Sequence, residues 1–359
     1  MRNIKDTQNF LHSKELVRHL IGICNIKLDD VVIEIGPGKG IITNELAHKA
    51  RKVVAIEFDE ELYEKLKNKF QSNNKVDIIY GDILNYTPRI PSYCVFSNIP
   101  FNITSEILNK FLSDKKNEKM FLIMQYEPFI KYAGNPYGAE TLRSMLYKPF
   151  FDMDLKYRLD PSDFKPAPQA RIVLASFERK QFPDVKKEEE KLYKDFLAYI
   201  YTNKGETFFA KIKTLFSSNQ IKRVWGQIKI DKTTKISEVP YESILKVFKL
   251  FFLYGTDANK QLVVNSFNNM NKQNNKLQKI TETIARQKVG IQIVKESLII
   301  EIMYNEINKQ SVGNSNALFV EPYMIIDLTI VALTEVCPTS GHARNSVLPF
   351  FLWRRLAEQ

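Results

Sequence analysis

The chain has 359 residues, of which 44% are hydrophobic, and this is enough to build the cores of two domains. Its 52 Lys and Arg against 41 Asp and Glu give a formal net charge of +11, which is compatible with a polyanionic partner, the alternative being a charge that only keeps the protein soluble. Three scattered cysteines and four histidines indicate neither disulfides nor zinc, and without an apolar signal core or an apolar span of ~20 residues we expect a cytoplasmic protein that does not enter the membrane.

Short apolar runs alternate with segments of helical spacing through the first half of the chain. Strands are predicted over Val31–Ile35, Lys52–Phe58, Lys75–Tyr80, Tyr93–Ser97 and Lys119–Gln125. Helices are predicted over Ser13–Leu28, from after Gly40 to Lys49, over Glu60–Phe70 and over Thr104–Leu112. This alternation predicts a mainly parallel, doubly wound sheet, and therefore an α/β fold of the Rossmann-like class.

The pattern changes after residue 180. Helical spacing dominates over Lys186–Tyr201, Glu206–Phe216, Ile221–Trp225 and Tyr241–Leu253. Asn265 to Lys279 are mostly Asn, Gln and Lys, which bury too little apolar surface to order themselves. We predict an α/β domain over 1–180, a small all-helical domain over 181–260, and a linker with an atypical tail over 261–359. The tail is either an added interaction domain or, as we favour, read-through or fused sequence without a fold of its own.

Three glycines directly after the first predicted strand are the first sign of chemistry. In the run from Glu34 to Gly40 they let the backbone turn sharply and approach a ligand without an intervening side chain. The spacing Glu-x-Gly-x-Gly-x-Gly differs from that of a dinucleotide site and is typical of class I methyltransferases. Gly36 and Gly38 are therefore predicted to cradle the amino-acid end of S-adenosylmethionine, the alternative being a tight strand-to-helix connection.

Two acidic residues follow the next two strands. Glu57 ends the second strand, where its carboxylate is expected to accept both ribose hydroxyls of the cofactor. Asp82 follows the third strand and is expected to accept from the exocyclic amine of the cofactor's adenine, while Ile83 packs on the ring. A lone acid at a strand end is usually a solvated turn residue, but three correctly spaced pieces favour a cofactor site.

The tetrapeptide Asn98-Ile99-Pro100-Phe101 indicates the reaction. The exocyclic nitrogen of adenine is a poor nucleophile because its lone pair is delocalised into the ring. The Asn98 side-chain oxygen and a main-chain carbonyl at Ile99 or Pro100 can accept its two hydrogens and direct the lone pair at a methyl group. Pro100 would fix the turn and Phe101 would stack on the target base. The alternative is a proline loop with a buried aromatic side chain.

Together with the amino-terminal Gln8-Asn9-Phe10-Leu11, these motifs make residues 1 to about 255 resemble the ribosomal RNA adenine N6-methyltransferases, which include macrolide-resistance methylases and dimethyladenosine transferases. The resemblance implies that the amino-terminal motif folds over the cofactor. It implies cofactor contacts at Asn9, Leu11, Gly36, Glu57, Asp82 and Asn98. The run Asp163–Pro168 resembles a family segment that borders the base pocket, which makes Phe164 a candidate second stacking surface.

The resemblance leaves the substrate open. Asn-Ile-Pro-Phe looks more like the resistance methylases, which modify 23S rRNA, than like the 16S rRNA enzymes, which more often have Asn-Leu-Pro-Tyr. We therefore predict methylation of adenine N6 in 23S rRNA and resistance to macrolide-type antibiotics, with 16S dimethylation as the alternative. A non-catalytic RNA-binding scaffold is a further alternative, although it predicts decay of the glycine loop or the tetrapeptide, and both are intact.

Basic residues on predicted helices are the expected RNA contacts. Arg143 and a cluster in the helical domain are predicted to bind phosphates, although a solvated basic face explains the cluster equally well. The cluster comprises Lys211, Lys213, Lys222 and Arg223. We expect a monomer that needs no metal.

Two regions depart from the family pattern. Gln169-Ala170-Arg171-Ile172 stands where the family usually has a Val and a Ser, so that the base pocket differs in detail. Residues from about 265 to 359 resemble nothing in the family.

Overall fold

The computed structural model of the chain describes residues 9–277 and residue 279. The strands are β1 (Phe10–Leu11), β2 (Val31–Ile35), β3 (Lys52–Glu57), β4 (Val76–Tyr80), β5 (Tyr93–Asn98), β6 (Asn117–Gln125), β7 (Phe151–Leu159), β8 (Phe164–Lys165) and β9 (Ile172–Arg179). The helices are α1 (Lys14–Gly22), α2 (Ile41–Lys49), α3 (Glu60–Phe70), α4 (Thr104–Ser113), α5 (Tyr126–Ala133), α6 (Leu142–Tyr147), α7 (Glu190–Thr202), α8 (Phe208–Ile212), α9 (Ser218–Ile228), α10 (Tyr241–Tyr254) and α11 (Asp257–Val263).

Seven strands form one sheet in the order β4-β3-β2-β5-β6-β9-β7. The five strands from β2 to β6 are parallel to their neighbours among themselves, and β9 and β7 join as antiparallel strands. The predicted α/β class is therefore confirmed, as are the five predicted strands, with ends displaced by one or two residues. The sequence pattern missed β7, because this edge strand alternates charged with partly buried side chains and has no continuous apolar run.

Both faces of the sheet are covered, which explains why β2 is buried at every position. Successive side chains point to opposite faces, so Val32 packs in one apolar cluster and Ile33 in another. Val53 and Val54 of β3 divide in the same way. A parallel strand between two layers of helices therefore reads as an uninterrupted run of Val and Ile.

The helices begin where the sequence supplies a capping group. Ser13 accepts from the Leu16 amide at the start of α1, and Asp59 accepts from the Leu62 amide at the start of α3. A Ser or Asp side chain in this position satisfies one of the four free amides of the first turn. The helix predicted over Ser13–Leu28 is shorter in the structure, where α1 ends at Gly22.

The helices from α7 onward build a third apolar cluster. Phe196 and Phe251 lie at its centre, with their ring centroids 5.5 Å apart, and Phe248 packs against Phe196 at 5.6 Å. Met145 of α6 is also part of this cluster, so the element before β7 contributes to the helical region. Across the described residues no helix combines the length and apolarity needed to cross a bilayer.

The region just after the predicted helical domain is ordered. α11 is followed by a helix over residues 266–277, and Val263 is fully buried in the third cluster. The expectation that the Asn- and Gln-rich stretch from residue 265 lacks regular structure is therefore wrong for 266–277. The predictions for Gln8 and for residues 280–359 lie outside the described residues.

Candidate active site

The sequence-predicted site residues meet at one edge of the sheet. Because β2, β3, β4 and β5 are parallel, their carboxyl ends share this edge, and each is followed by one of the predicted residues. Gly36 follows β2, Glu57 ends β3, Asp82 follows β4, and Asn98 ends β5. The alternation of strands and helices thus brings four motifs that are separate in the sequence to the same edge of the sheet.

The glycine loop requires glycine for two different reasons. Gly36, Gly38 and Gly40 have φ of +60°, +58° and +73°, a region that favours glycine. A Cβ on Gly38 would stand 2.6 Å from the ring of Phe10, whereas no atom lies within 4 Å of the corresponding point on Gly36. Space is therefore open above Gly36, and this is where a ligand could approach the backbone.

Glu57 anchors this loop through its carboxylate. One oxygen accepts from the Gly38 amide at 3.0 Å, and the other accepts from the Phe58 and Asp59 amides at 2.9 and 3.0 Å. The side chain is 1% exposed, and burial raises the pKa of Glu57 although the amide hydrogen bonds oppose this. A carboxylate has about four acceptor positions. Three of these positions are occupied, which leaves one for a ligand, and the contact of Glu57 with both ribose hydroxyls stays a prediction.

Asp82 is held by its own turn. Its Oδ1 accepts from the Leu84 amide at 2.8 Å, and its Oδ2 accepts from the Asn85 side chain at 3.2 Å. The carboxylate is partly exposed and so retains acceptor positions toward solvent. Ile83 is different, because it is 5% exposed and packs in the second apolar cluster with Ile56. Only a small part of the Ile83 side chain is therefore accessible to a ligand.

Asn98 presents a free acceptor. Its Nδ2 donates to the Asn9 carbonyl at 2.7 Å, which fixes the orientation of the amide. Its Oδ1 is buried and lacks a hydrogen-bond partner among the described residues. A buried polar atom without a partner is costly, and a catalytic role is one of the reasons for which a protein retains it. Ile99 continues the chain as a buried residue whose amide donates to the Ile123 carbonyl at 3.1 Å.

The amino-terminal segment joins the glycine loop to the tetrapeptide. The Asn9 carbonyl contacts Asn98, while the Phe10 ring lies against Gly38. β1 pairs with β8 in antiparallel register, with Leu11 opposite Phe164. The segment that the family resemblance places over the cofactor thus lies across both loops.

The aromatic residues predicted to stack on the target base differ in access. Phe101 begins a short 3-10 helix and is only partly buried against the first cluster. Phe164 is 2% exposed and packs in the same cluster as Leu11. The prediction of Phe164 as a stacking surface is therefore not supported by this structure, since its ring is a core side chain.

The predicted phosphate contacts also divide. Arg143 is exposed on α6, with its guanidinium 5.4 Å from the Tyr132 ring and 3.5 Å from the Ser105 hydroxyl that follows the tetrapeptide. Lys213, Lys222 and Arg223 are exposed. Lys211 is 8% exposed and donates to the Asn203 carbonyl at 2.7 Å, so its prediction as a phosphate contact is wrong.

Comparison with known proteins assigns the family. The sequence model of the family "Ribosomal RNA adenine dimethylase" matches residues 1–252. The chain belongs to this family. An rRNA adenine N-6-methyltransferase of Escherichia coli is 31% identical over 254 residues, which cover 70% of this chain and 98% of that protein. One from Staphylococcus aureus (strain Mu50) is 32% identical over 253 residues, which cover 70% and 98%.

Solved structures show the same fold for this rRNA adenine dimethylase family member. The crystal structure of the 23S rRNA methyltransferase ErmE matches with a TM-score of 0.64 at 22% identity, covering 68% of this chain and all of ErmE. A dimethyladenosine transferase from Plasmodium falciparum matches with a TM-score of 0.54 at 18% identity, covering 68% of this chain and 97% of that structure. The likeness confirms the Rossmann-like class I methyltransferase fold, with a helical region toward the carboxyl terminus.

Two residues of this methyltransferase site were not singled out by the sequence. Phe58, directly after Glu57, is 53% exposed at the carboxyl edge of the sheet. Glu34 is 1% exposed, its Oε2 has no hydrogen-bond partner among the described residues, and burial raises the pKa of Glu34 to about 8. The position of Phe58 directly after Glu57 in the sequence could have identified it as a candidate for the site. Glu34 stood within the quoted glycine motif, but its burial and the unpartnered Oε2 could be seen only in the structure.

Proposed function

We propose that this chain methylates adenine N6 in 23S rRNA with S-adenosylmethionine as the methyl donor, and that this modification confers resistance to macrolide-type antibiotics. The observation that carries the proposal is the buried, unpartnered Oδ1 of Asn98 at the carboxyl edge of the sheet. The names of the relatives support adenine N6 of rRNA as the target. We further propose that the chain acts in the cytoplasm as a monomer.

The residues at this edge fit the cofactor. The open space above Gly36 admits the amino-acid end, and a remaining acceptor position on Glu57 suits a ribose hydroxyl. Asp82 has acceptor capacity for an exocyclic amine, and we add Phe58 as an apolar surface for the adenine ring. When bound, S-adenosylmethionine supplies a methyl group on a positively charged sulfur.

The tetrapeptide would make the adenine nitrogen nucleophilic. Asn98 Oδ1 would accept one N6 hydrogen, and because the Asn9 carbonyl already holds Nδ2, the amide cannot turn its donor toward the base without losing that bond. Of the two main-chain carbonyls, that of Pro100 already accepts from the Ile103 amide at 3.3 Å. We therefore assign the second acceptor to the Ile99 carbonyl. Holding both hydrogens localises the lone pair and aligns it for in-line displacement.

The target adenine must leave its RNA stack to reach these acceptors. Phe101 is the last residue of the tetrapeptide and is the accessible aromatic residue predicted to stack on the flipped base. Arg143, close to Ser105 of α4, is placed to contact a phosphate beside that base. We propose Lys213, Lys222 and Arg223 as more distant phosphate contacts of the helical region.

The isoleucine of Asn-Ile-Pro-Phe favours 23S over 16S rRNA, because it resembles the resistance methylases. The side chain of Ile99 is 2% exposed and packs in the second cluster, so it would shape the loop from beneath rather than touch the RNA. The proposed choice of rRNA therefore depends on the backbone of this loop and on the helical region.

The Asn98→Ala variant tests the proposed chemistry, with Asn102→Ala, an exposed residue of the adjacent 3-10 helix, as a matched control. Loss of a preorganised polar group at the reacting atom costs about 10²–10³ in rate. We expect kcat for methyl transfer to rRNA to fall by this factor in Asn98→Ala and to stay near wild type in Asn102→Ala. Equal kcat values in the two variants would remove Asn98 from the mechanism.

A further inference from the structure

A cavity lies at the opposite edge of the sheet from the candidate active site. It has a volume of about 450 Å³, and its lining includes Leu112 at the end of α4, Phe151 at the start of β7 and Arg179 at the end of β9. These residues stand beside Asn117, which begins β6, whereas Asn98 ends β5. The six-residue length of β5 places the two edges roughly 20 Å apart.

The walls of this cavity are mainly apolar, and several of them are aromatic. Tyr147, Phe150 and Phe151 contribute from one side, and Phe267 contributes from the helix over residues 266–277. Phe267 lies beyond residue 252, where the match to the family ends. This chain therefore adds a wall of its own to a cavity that begins in the family fold.

The added wall is fixed in place by a buried carboxylate. Asp195 of α7 is 3% exposed, and its Oδ1 accepts from the Phe267 amide at 3.0 Å. An amide in the first turn of a helix has no partner within its own helix, so the bond both satisfies the amide and docks the helix. The half-buried Phe267 ring is thus held at the cavity.

Lysines surround the opening. An adjoining cavity of about 440 Å³ shares Lys115, Lys187 and Lys194 with the first. Lys194 pairs with Glu190 at 2.6 Å, but neither Lys115 nor Lys187 has an ion-pair partner among the residues that the structure describes. Two uncompensated cations at the mouth of an aromatic cavity match a ligand with a flat apolar body and an anionic group.

We propose that this cavity binds an unpaired nucleotide, with the base against Phe150 and Phe267 and the phosphate at Lys115 and Lys187. Aromatic rings accept any base by stacking, and lysines bind phosphate as point charges. The nucleotide is supplied either by an RNA strand or as a free mononucleotide. The site is separate from the methyl-transfer site, and binding there does not depend on the reaction proposed above.

The test uses the full chain and a single-stranded RNA of about ten nucleotides, a length within the usual site size of ~4–16. The RNA carries 5-iodouridine, which cross-links to aromatic side chains on irradiation, and no S-adenosylmethionine is added. Mass spectrometry of the digest identifies the cross-linked peptides, and the yield against protein concentration gives an apparent Kd. We expect cross-links to peptides that contain Tyr147 and Phe150 or Phe267.

Two pairs of lysine substitutions separate the site from general charge. Lys115→Gln with Lys187→Gln removes the cations at the opening, while Lys116→Gln with Lys186→Gln removes the same charge from exposed neighbours that do not line the cavity. The first pair is expected to weaken the apparent Kd about tenfold, and the second to change it less than twofold. Equal weakening by both pairs overturns the proposal.

Phe267→Ala tests the added wall through the Tyr147 peptide. Loss of one stacking surface is expected to weaken binding about tenfold, with an unchanged melting temperature showing that the variant is folded. Competition by millimolar mononucleotide would identify a free nucleotide as the ligand, and competition by the RNA alone would identify a strand. Cross-links confined to peptides of the catalytic edge, or displacement by a fatty acid and not by nucleotides, overturn the proposal. Either failure leaves methyl transfer at Asn98 unaffected.

Discussion

Asn98 is oriented by a backbone atom that lies 89 residues away in the chain. The amide was predictable, because adenine N6 needs a neutral acceptor after a buried strand, but its partner Asn9 was not. The chemical role of a side chain can be predicted from its residue type, whereas a contact between residues so far apart in the sequence depends on the tertiary fold. Phe164 shows the same limit, because its motif predicted a stacking surface at the base pocket, whereas its ring packs in the first apolar cluster.

Substitution of two glycines should separate ligand access from folding. Gly36 and Gly38 share a positive φ, which costs a residue with a Cβ about 1 kcal/mol of stability in Gly36→Ala and Gly38→Ala alike. Only Gly38→Ala also forces its Cβ against Phe10. We expect urea unfolding to show about 1 kcal/mol lost for Gly36→Ala and about 2–3 kcal/mol for Gly38→Ala.

Phe10→Ala supplies the control for this comparison. If the Phe10 ring is the obstacle, the double variant Gly38→Ala with Phe10→Ala should lose less stability than the sum of the single variants, by about 0.5–3 kcal/mol. Simple additivity of the two losses would show that the ring and the loop are independent. Gly36→Ala is expected to weaken cofactor binding more than its small stability cost implies, as isothermal titration would show.

Glu34 predicts a pH dependence of stability. Burial raises the pKa of Glu34 to about 8 from an ordinary 4.5, so between these values the folded chain binds a proton that the unfolded chain releases. The contribution of this residue is fully present below pH 4.5 and is lost as pH rises toward 8, with a slope of about 1.4 kcal/mol per pH unit. Glu34→Gln removes the proton exchange.

Urea unfolding between pH 5 and pH 8 measures this effect. The wild-type free energy of unfolding should fall relative to that of Glu34→Gln as pH rises, since every other titrating group is common to both proteins. Parallel curves for the two proteins would mean that Glu34 titrates near its ordinary value and that water or another polar group reaches it.

At the scale of elements, the predictions succeeded where the apolar residues followed a single clear pattern, either a continuous strand run or helical spacing. β2 and β3 are buried on both faces and read as apolar runs, and α3 was predicted with its observed ends. β7 was missed because an edge strand needs no continuous apolar run. The helix at 266–277 was missed because its stability comes from docking on α7 and not from its own composition.

Docking of that helix makes Asp195 more important than its ion-pair partner. Asp195 is 3% exposed and bonded to the Phe267 amide, whereas the side chain of Lys191, 3.3 Å away, is 72% exposed. We expect Asp195→Ala to lose about 1–3 kcal/mol of stability, since it leaves a helix-start amide unpaired. Lys191→Ala should lose less than about 1 kcal/mol. Thermal melting of the two variants compares them, and equal losses would indicate that the ion pair, not the helix contact, is what stabilises this junction.

At the scale of the whole molecule, the parallel sheet explains why scattered motifs could be combined before the structure was known. Parallel strands deliver their carboxyl ends to one edge, so spacing along the sequence predicts proximity in space. The net charge of +11 is consistent with a polyanionic substrate but locates no contact. Lys211 illustrates this limit, since it belongs to a basic cluster by sequence and to the interior by structure.

The most direct test of the proposed function is transfer of labelled methyl from S-adenosylmethionine to protein-free 23S and 16S rRNA, offered separately to the wild-type chain and to Asn98→Ala. We expect the wild-type chain to label 23S rRNA, with N6-methylated adenosine as the labelled nucleoside, and the variant to lose about 10²–10³ of the rate. Label on 16S rRNA alone would contradict the assignment of the substrate. Absence of label on both rRNAs would contradict the proposed catalytic activity itself.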